Sequence, residues 1–251
     1  MKLYYFELLL DYDSFSALDN ELRYDFQCHV DFISHYITKA IRRHKIETGD
    51  CKGLYITLLP EGVMKLHNKV DNLLCVYFPF NLEDYQKAKH NMDFTYYLDI
   101  IRRGMYKFSE IQNVPVTEML DIVDEFEKNN YQNKWLLKRR TFREVGLTLE
   151  LHCELTTDYY QVTTIVKDLK KNILCQGLVL KTLSCMYVYT GLVKDIVLVG
   201  NSIFIIDKND YRRIKFNIKS LQQGDFSPKI ENLYDYDLSS YYFIAGYSNS
   251  D

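Results

Sequence analysis

Residues 145–219 constrain the fold of this chain most. Leu147, Leu149, Leu151, Cys153 and Leu155 alternate with Thr148, Glu150, His152 and Glu154, the period of two that a strand with one buried face requires. Further on, two apolar runs, 196–199 and 203–206, flank Gly200, Asn201 and Ser202, a compact hairpin signal. Segments 160–167 and 173–181 continue the alternation, with Asp158 and the Lys170, Lys171, Asn172 triplet supplying turns. A strand over 135–142 opens this series and one over 212–219 closes it, while 184–189 fits a strand and a helical turn equally well. The expectation is a mainly antiparallel meander.

The preceding half follows a helical period. Ser16 and Asp19 mark a helix start. Leu18, Leu22, Phe26, Val30, Ile33, Ile37 and Ile41 then share one face, and Asn20, Arg23, Gln27, Asp31, Ser34, Thr38 and Arg42 the opposite one. A second long helix starts at Asn81 and Asp84 and carries the stripe Tyr85, Ala88, Met92, Tyr96, Ile100, Phe108 and Ile111. Pro115 breaks it, and Thr117 caps a third helix through Met119, Ile122, Val123 and Phe126. The first ten residues, 53–59 and 72–80 are expected strands. The chain is therefore predicted to be α+β, with a helix-rich half over 1–130 and an antiparallel β half over 131–251, the weak boundary falling in the Pro- and Asn-containing stretch 112–133.

Several functional classes lose support at this level. A net charge of -3 lacks the basic excess of a dedicated polyanion binder. The chain has no G-x-G-x-x-G, G-x-x-x-x-G-K or G-x-S-x-G motif, and its ten glycines are scattered. No apolar run reaches bilayer length, and Glu7 interrupts the apolar start, which therefore reads as a strand and not as a signal peptide. The six cysteines form no C-x-x-C pair and sit largely in apolar patterns, as small core residues kept reduced in a cytoplasmic protein do.

Three polar groupings deserve weighing. Glu150, His152 and Glu154 share a strand face about 7 Å apart; they serve as metal ligands if a neighbouring strand adds a donor, or as the polar outer face of an antiparallel sheet. Cys28 and His29 with His35 lie on the first helix, but a nucleophilic cysteine needs a base held by the fold and a third orienting group, so a structural role is expected. Lys138, Arg139, Arg140 and Arg143 form the densest basic cluster; strand alternation splits it between two faces, which suits a charged edge better than a phosphate-binding surface.

The segment 225–251 differs in composition from the rest. It combines Phe226, Tyr234, Tyr236, Tyr241, Tyr242, Phe243 and Tyr247 with acids including Asp235 and Asp237, against Lys229 as its one basic residue. A disordered tail is normally poor in aromatics, so packing onto the body is expected around 241–245. Acids beside tyrosines also suit a basic protein partner.

The order of features resembles a known group. A long helix, a shorter helix and a Trp-bearing strand (Asn133, Lys134, Trp135, Leu136) lead into a meander containing Thr157, Asp158, Tyr159 and Tyr160, and the Gly200-Asn201 hairpin ends the series. Over residues 80–220 this resembles the small α+β immunity proteins encoded beside bacterial polymorphic or contact-dependent toxins. The resemblance implies a non-enzymatic cytoplasmic protein, without a cofactor, that binds and blocks a cognate toxin. It carries no catalytic residues across, and the modest net charge departs from the acidity of a nuclease inhibitor. Candidate partner contacts are Tyr234, Asp235, Tyr236, Asp237, Tyr241 and Tyr242, with Glu150 and Glu154 as a second patch. The alternatives are a metal-dependent hydrolase using Glu150, His152 and Glu154, and a nucleic-acid accessory protein using Lys138, Arg140 and Arg143.

Overall fold

A computed structural model describes residues 1–231 and, as a short strand, Tyr242–Phe243. The chain divides into two compact units, the first ending at Gln132 and the second starting at Asn133. It is α+β, and among the described residues no helix is long and apolar enough to cross a membrane.

The first unit runs β1 (Tyr5–Leu10), α1 (Tyr12–Leu18), α2 (Asn20–His44), β2 (Gly53–Leu59), β3 (Asn68–Val70), β4 (Leu73–Pro79), α3 (Leu82–Asn91), α4 (Phe94–Ile111) and α5 (Val116–Lys128). The sheet order is β1-β2-β4-β3, with β1, β2 and β4 mutually parallel and β3 antiparallel to β4. Parallel neighbours need a long crossover, which α1 and α2 supply between β1 and β2. Phe6, Leu8 and Leu10 register with Leu54, Ile56 and Leu58, and all six side chains are buried. Helix α4 reaches this layer at Gly104, where a Cβ would stand 2.2 Å from Cδ1 of Ile56; only glycine permits that approach.

Helix α2 buries Phe26, Val30, Ile33, Ile37 and Ile41 as its stripe predicts. Its polar face is largely covered, however, and is exposed at its two ends, Asn20 and Arg42. Arg23, Gln27, Asp31 and Ser34 are buried, and the stripe lies along the free edge of β1. Ser34 Oγ accepts the Leu8 N–H at 3.2 Å, and Thr38 Oγ1 accepts the Phe6 N–H and donates to the Phe6 carbonyl, each at 3.0 Å. Arg42 Nε donates to the Tyr4 carbonyl at 2.8 Å. A buried edge strand must place its outward amide groups somewhere, and here the helix satisfies them in place of another strand.

Two other differences have local causes. The second long helix is broken into α3 and α4 because Met92 adopts a left-handed φ of 53° and Asp93 caps the new helix by accepting the Thr95 N–H at 3.0 Å. Strand β3 escaped prediction because its three residues are all exposed and carry no alternation. Its hairpin is made by Asp71 and Asn72 at φ values of 48° and 68°, the paired left-handed conformation that tight antiparallel turns favour.

The second unit holds β5 (Asn133–Phe142), β6 (Leu147–Leu155), β7 (Tyr160–Asp168), β8 (Ile173–Thr182), α6 (Met186–Tyr189), β9 (Asp195–Val199), β10 (Ser202–Ile206), β11 (Arg212–Asn217), α7 (Ile218–Gln222), β12 (Lys229–Ile230) and β13 (Tyr242–Phe243). They form two antiparallel sheets, β13-β8-β7-β6-β5 and β12-β11-β10-β9. The meander and the Gly200 hairpin are present as predicted, and 186–189 is a helical turn. Leu147, Leu149, Leu151, Cys153 and Leu155 are all buried, as are Ile203, Ile205, Ile214 and Phe216 of the smaller sheet. Phe226 links the sheets: it packs 5.7 Å from the Phe216 ring and against Gly177 of β8, where a Cβ would stand 2.3 Å from the Phe226 ring.

Candidate protein-binding face

The sheet of the first unit has a second face. Alternation turns Tyr5, Glu7 and Leu9 away from the helix-covered layer, and the register aligns them in rows. Tyr5 lies beside Gly53 and Leu73, Glu7 beside Tyr55, Cys75 and Asn68, and Leu9 beside Thr57 and Tyr77. Tyr5 is 44% exposed. Glu7, Leu9, Tyr55, Leu73, Cys75 and Tyr77 are half-buried, and Gly53 and Thr57 are buried. Parallel sheets ordinarily bury both faces, so this half-open, tyrosine-bearing face is the feature of the unit that most needs a role.

Glu7 sits midway along β1, the edge strand of this sheet. Its carboxyl has no hydrogen bond or ion pair among the described residues. Burial, and secondarily the charge of Asp31 on α2, push its pKa from 4.5 up to about 7. Asp31 itself is buried and accepts from Gln27 Nε2 at 2.9 Å. Tyr55 is raised in turn, by its own burial and then by Glu7, Cys75 and Tyr5, which places these four groups around one another.

Cations stand at the margins of the face. The Arg42 guanidinium lies 5.3 Å from the Tyr5 ring, and Lys65 Nζ 5.8 Å from that of Tyr77. Lys65 also pairs with Asp11 at 2.9 Å. Burial opposes ionisation of Asp11 but is outweighed by Lys65 and Ser14, which hold its carboxyl below the usual range. Asp11 thereby caps α1 and pins the loop that follows β2. On either side of Lys65, Met64 and Leu66 are 94% and 87% exposed, an apolar pair presented by an anchored loop.

The acid–His–acid grouping of the second unit is built differently. Glu150 is only 5% exposed, which corrects its expected place on a solvated, partner-facing patch. Its carboxylate takes Arg139 and Lys167, each at 2.8 Å, and His152 at 3.2 Å. Burial opposes its ionisation, but hydrogen bonds from Lys167 and His152 and the charges of Lys167 and Arg139 outweigh it and hold its pKa down to about 2. Glu154 faces Lys134 at 3.2 Å and accepts from Gln161 at 2.8 Å. The three side chains therefore meet different partners, and among the described residues no grouping of His, Cys, Asp or Glu is arranged to hold a metal ion.

The basic cluster divides as strand alternation requires. Arg139 goes to Glu150, while Lys138 and Arg140 both reach Asp195 of β9, at 3.7 Å for Lys138 and 2.9 Å for Arg140 Nε. Hydrogen bonding from Arg140 is the main reason that Asp195 is held down to about 2. Arg143 is exposed in the turn before β6. His29 is buried between Tyr85 and Tyr97, with ring centroids 6.4 and 5.5 Å away, and neither Cys28 nor any of the other five cysteines forms a disulfide. The tail contacts Tyr234, Asp235, Tyr236, Asp237 and Tyr241 lie outside the described residues. Tyr242 pairs through its backbone with Thr182 as part of β13.

Sequence reasoning missed the face built around Glu7. The signal was there: Glu7 interrupts an apolar run, and the alternation of Tyr5, Glu7 and Leu9 with Phe6, Leu8 and Leu10 separates two faces. No match to the chain was found among protein-family models, curated proteins or solved structures.

Proposed function

We propose that this chain is a non-enzymatic binding protein whose partner is another protein and, following the resemblance described above, that it acts in the cytoplasm as an immunity-type inhibitor of a cognate bacterial toxin. The observation that carries the reading is the half-open face of the N-terminal parallel sheet, which presents Tyr5, Tyr55 and Tyr77 together with Leu9 and Leu73. Large amphipathic rings that give contact area at little entropic cost are characteristic of protein interfaces. The exposed Met64 and Leu66 beside it extend the apolar contact, and the acidic, tyrosine-rich composition of 225–251 supports a basic partner. Six cysteines that form no disulfide agree with a reducing compartment.

The test is co-expression with the product of the adjacent gene, followed by affinity capture. The expected result is a stoichiometric complex and relief of that product's toxicity. A complex without relief keeps the binding reading and removes the inhibitor; neither complex nor relief removes both.

A further inference from the structure

We propose that the open face of the N-terminal sheet is a seat for an arginine side chain of the protein partner, with the Glu7 carboxylate as its anion and Tyr5 and Tyr55 as flanking rings. This rests on the reading that the chain binds a protein, and it specifies the chemistry of the contact.

The first ground is an imbalance of charge. Several acids near sheet strands are matched by cations: Asp11 by Lys65, Glu150 by Arg139 and Lys167, Asp195 by Arg140, and Asp207 by Arg213 at 2.8 Å. Glu7 has no such cation among the described residues. The groups that face it are Asp31 and Gln27 on α2, Tyr55 on β2 and Tyr5 on its own strand, with Arg42 lying over Tyr5 and bonded to the Tyr4 carbonyl. An incoming cation supplies the counter-charge that Glu7 lacks among the described residues.

The second ground is shape and ring chemistry. Tyr55 is directly in register with Glu7, and Tyr5 lies two residues before Glu7 on the same face of its strand, so the two rings flank the carboxyl. A guanidinium is planar, pairs bidentately with a carboxylate and stacks on phenol rings; an ammonium does only part of this. The chain already uses the same contact, with Arg23 4.2 Å from the Tyr24 ring and Arg42 5.3 Å from that of Tyr5. The third ground is extent. Leu9, Leu73 and Tyr77 continue the face beyond the anion, and Lys65 holds the Met64–Leu66 segment near Tyr77, so a protein gains contacts there that a free amino acid does not.

The test uses N-acetyl-arginine amide as probe, with carbon-13 NMR of the glutamate carboxyls. Saturating probe is expected to lower the Glu7 titration midpoint by one pH unit or more, a tenfold coupling between proton and probe. The lysine analogue should act more weakly and the uncharged citrulline analogue should have no effect. Glu7→Gln should weaken probe binding at least tenfold, while Glu83→Gln, an exposed acid on α3, should leave it unchanged. A Glu7 midpoint insensitive to probe, equal action by the citrulline analogue, or full binding to Glu7→Gln would each overturn the proposal. So would self-association of the wild-type chain that disappears in Glu7→Gln, because the seat would then belong to a second copy. Probe binding as expected, with no protein captured in the co-expression experiment, would remove the wider reading and leave the arginine seat standing.

Discussion

Glu7 and Glu150 make a natural experiment within one chain. Each is an acid in the middle of a strand whose other face is apolar, on the sheet face turned away from the core. Around Glu150 the antiparallel meander brings Arg139 from one neighbouring strand and Lys167 from the other, and the carboxyl drops to about 2. Around Glu7 the parallel neighbour offers Tyr55, the other side offers Asp31, and the carboxyl rises to about 7. Burial penalises both charges; what differs is whether the fold supplies a counter-charge. Glu150 finds its counter-charges on the neighbouring strands of its own sheet, whereas Glu7 has none among the described residues.

The largest expected effect tests the sign of that difference. A carboxyl whose folded pKa exceeds its unfolded value destabilises the folded state as it ionises, so the first unit should lose stability as pH rises from about 4.5 to about 7. The loss is at most about 3 kcal/mol, and Glu7→Gln should abolish it and stabilise the unit at pH 8. The second unit should behave oppositely: stability from Glu150 is fully present above about 4.5 and is lost as pH falls towards about 2. Trp135, the single tryptophan, lies in β5, so its fluorescence follows the second unit. Helix ellipticity follows mainly the first. Identical pH profiles from both probes would break the comparison.

Next in size, Glu150→Gln should cost about 2 kcal/mol at pH 7, since it leaves Arg139 and Lys167 without their shared anion. The effect should appear in denaturant melts followed by tryptophan fluorescence. Thr38→Val should cost about 1 kcal/mol in melts followed by ellipticity, because it removes the hydroxyl that serves both backbone groups of Phe6. At the small end, Met64→Ser and Leu66→Ser should change stability by less than about 0.5 kcal/mol, given that both side chains are almost wholly exposed. They should nonetheless weaken capture of a protein partner; unchanged capture would detach the loop from the binding face.

Some of this was legible in the residue pattern and some was not. The alternation of Leu147 to Leu155 located β6 and its buried face, and the same parity separated Arg139 from Lys138 and Arg140. It did not foresee that Glu150 would be buried, because alternation says which way a side chain points and nothing about the long side chains from adjacent strands that cover it. The stripe on α2 was equally clear, yet Ser34, Thr38 and Arg42 looked like a solvent face until β1 was found lying along them.

By itself the sequence determined the α+β class, the positions of most strands and helices, and the inward or outward sense of each strand residue. Those follow from periodicity, capping and turn chemistry, which act over a few residues. Only the tertiary structure decided which charges are matched. Coulombic pairing and desolvation depend on residues distant in the chain, and the partners of Glu7 and Glu150 were set by strand order and register, which local pattern does not encode.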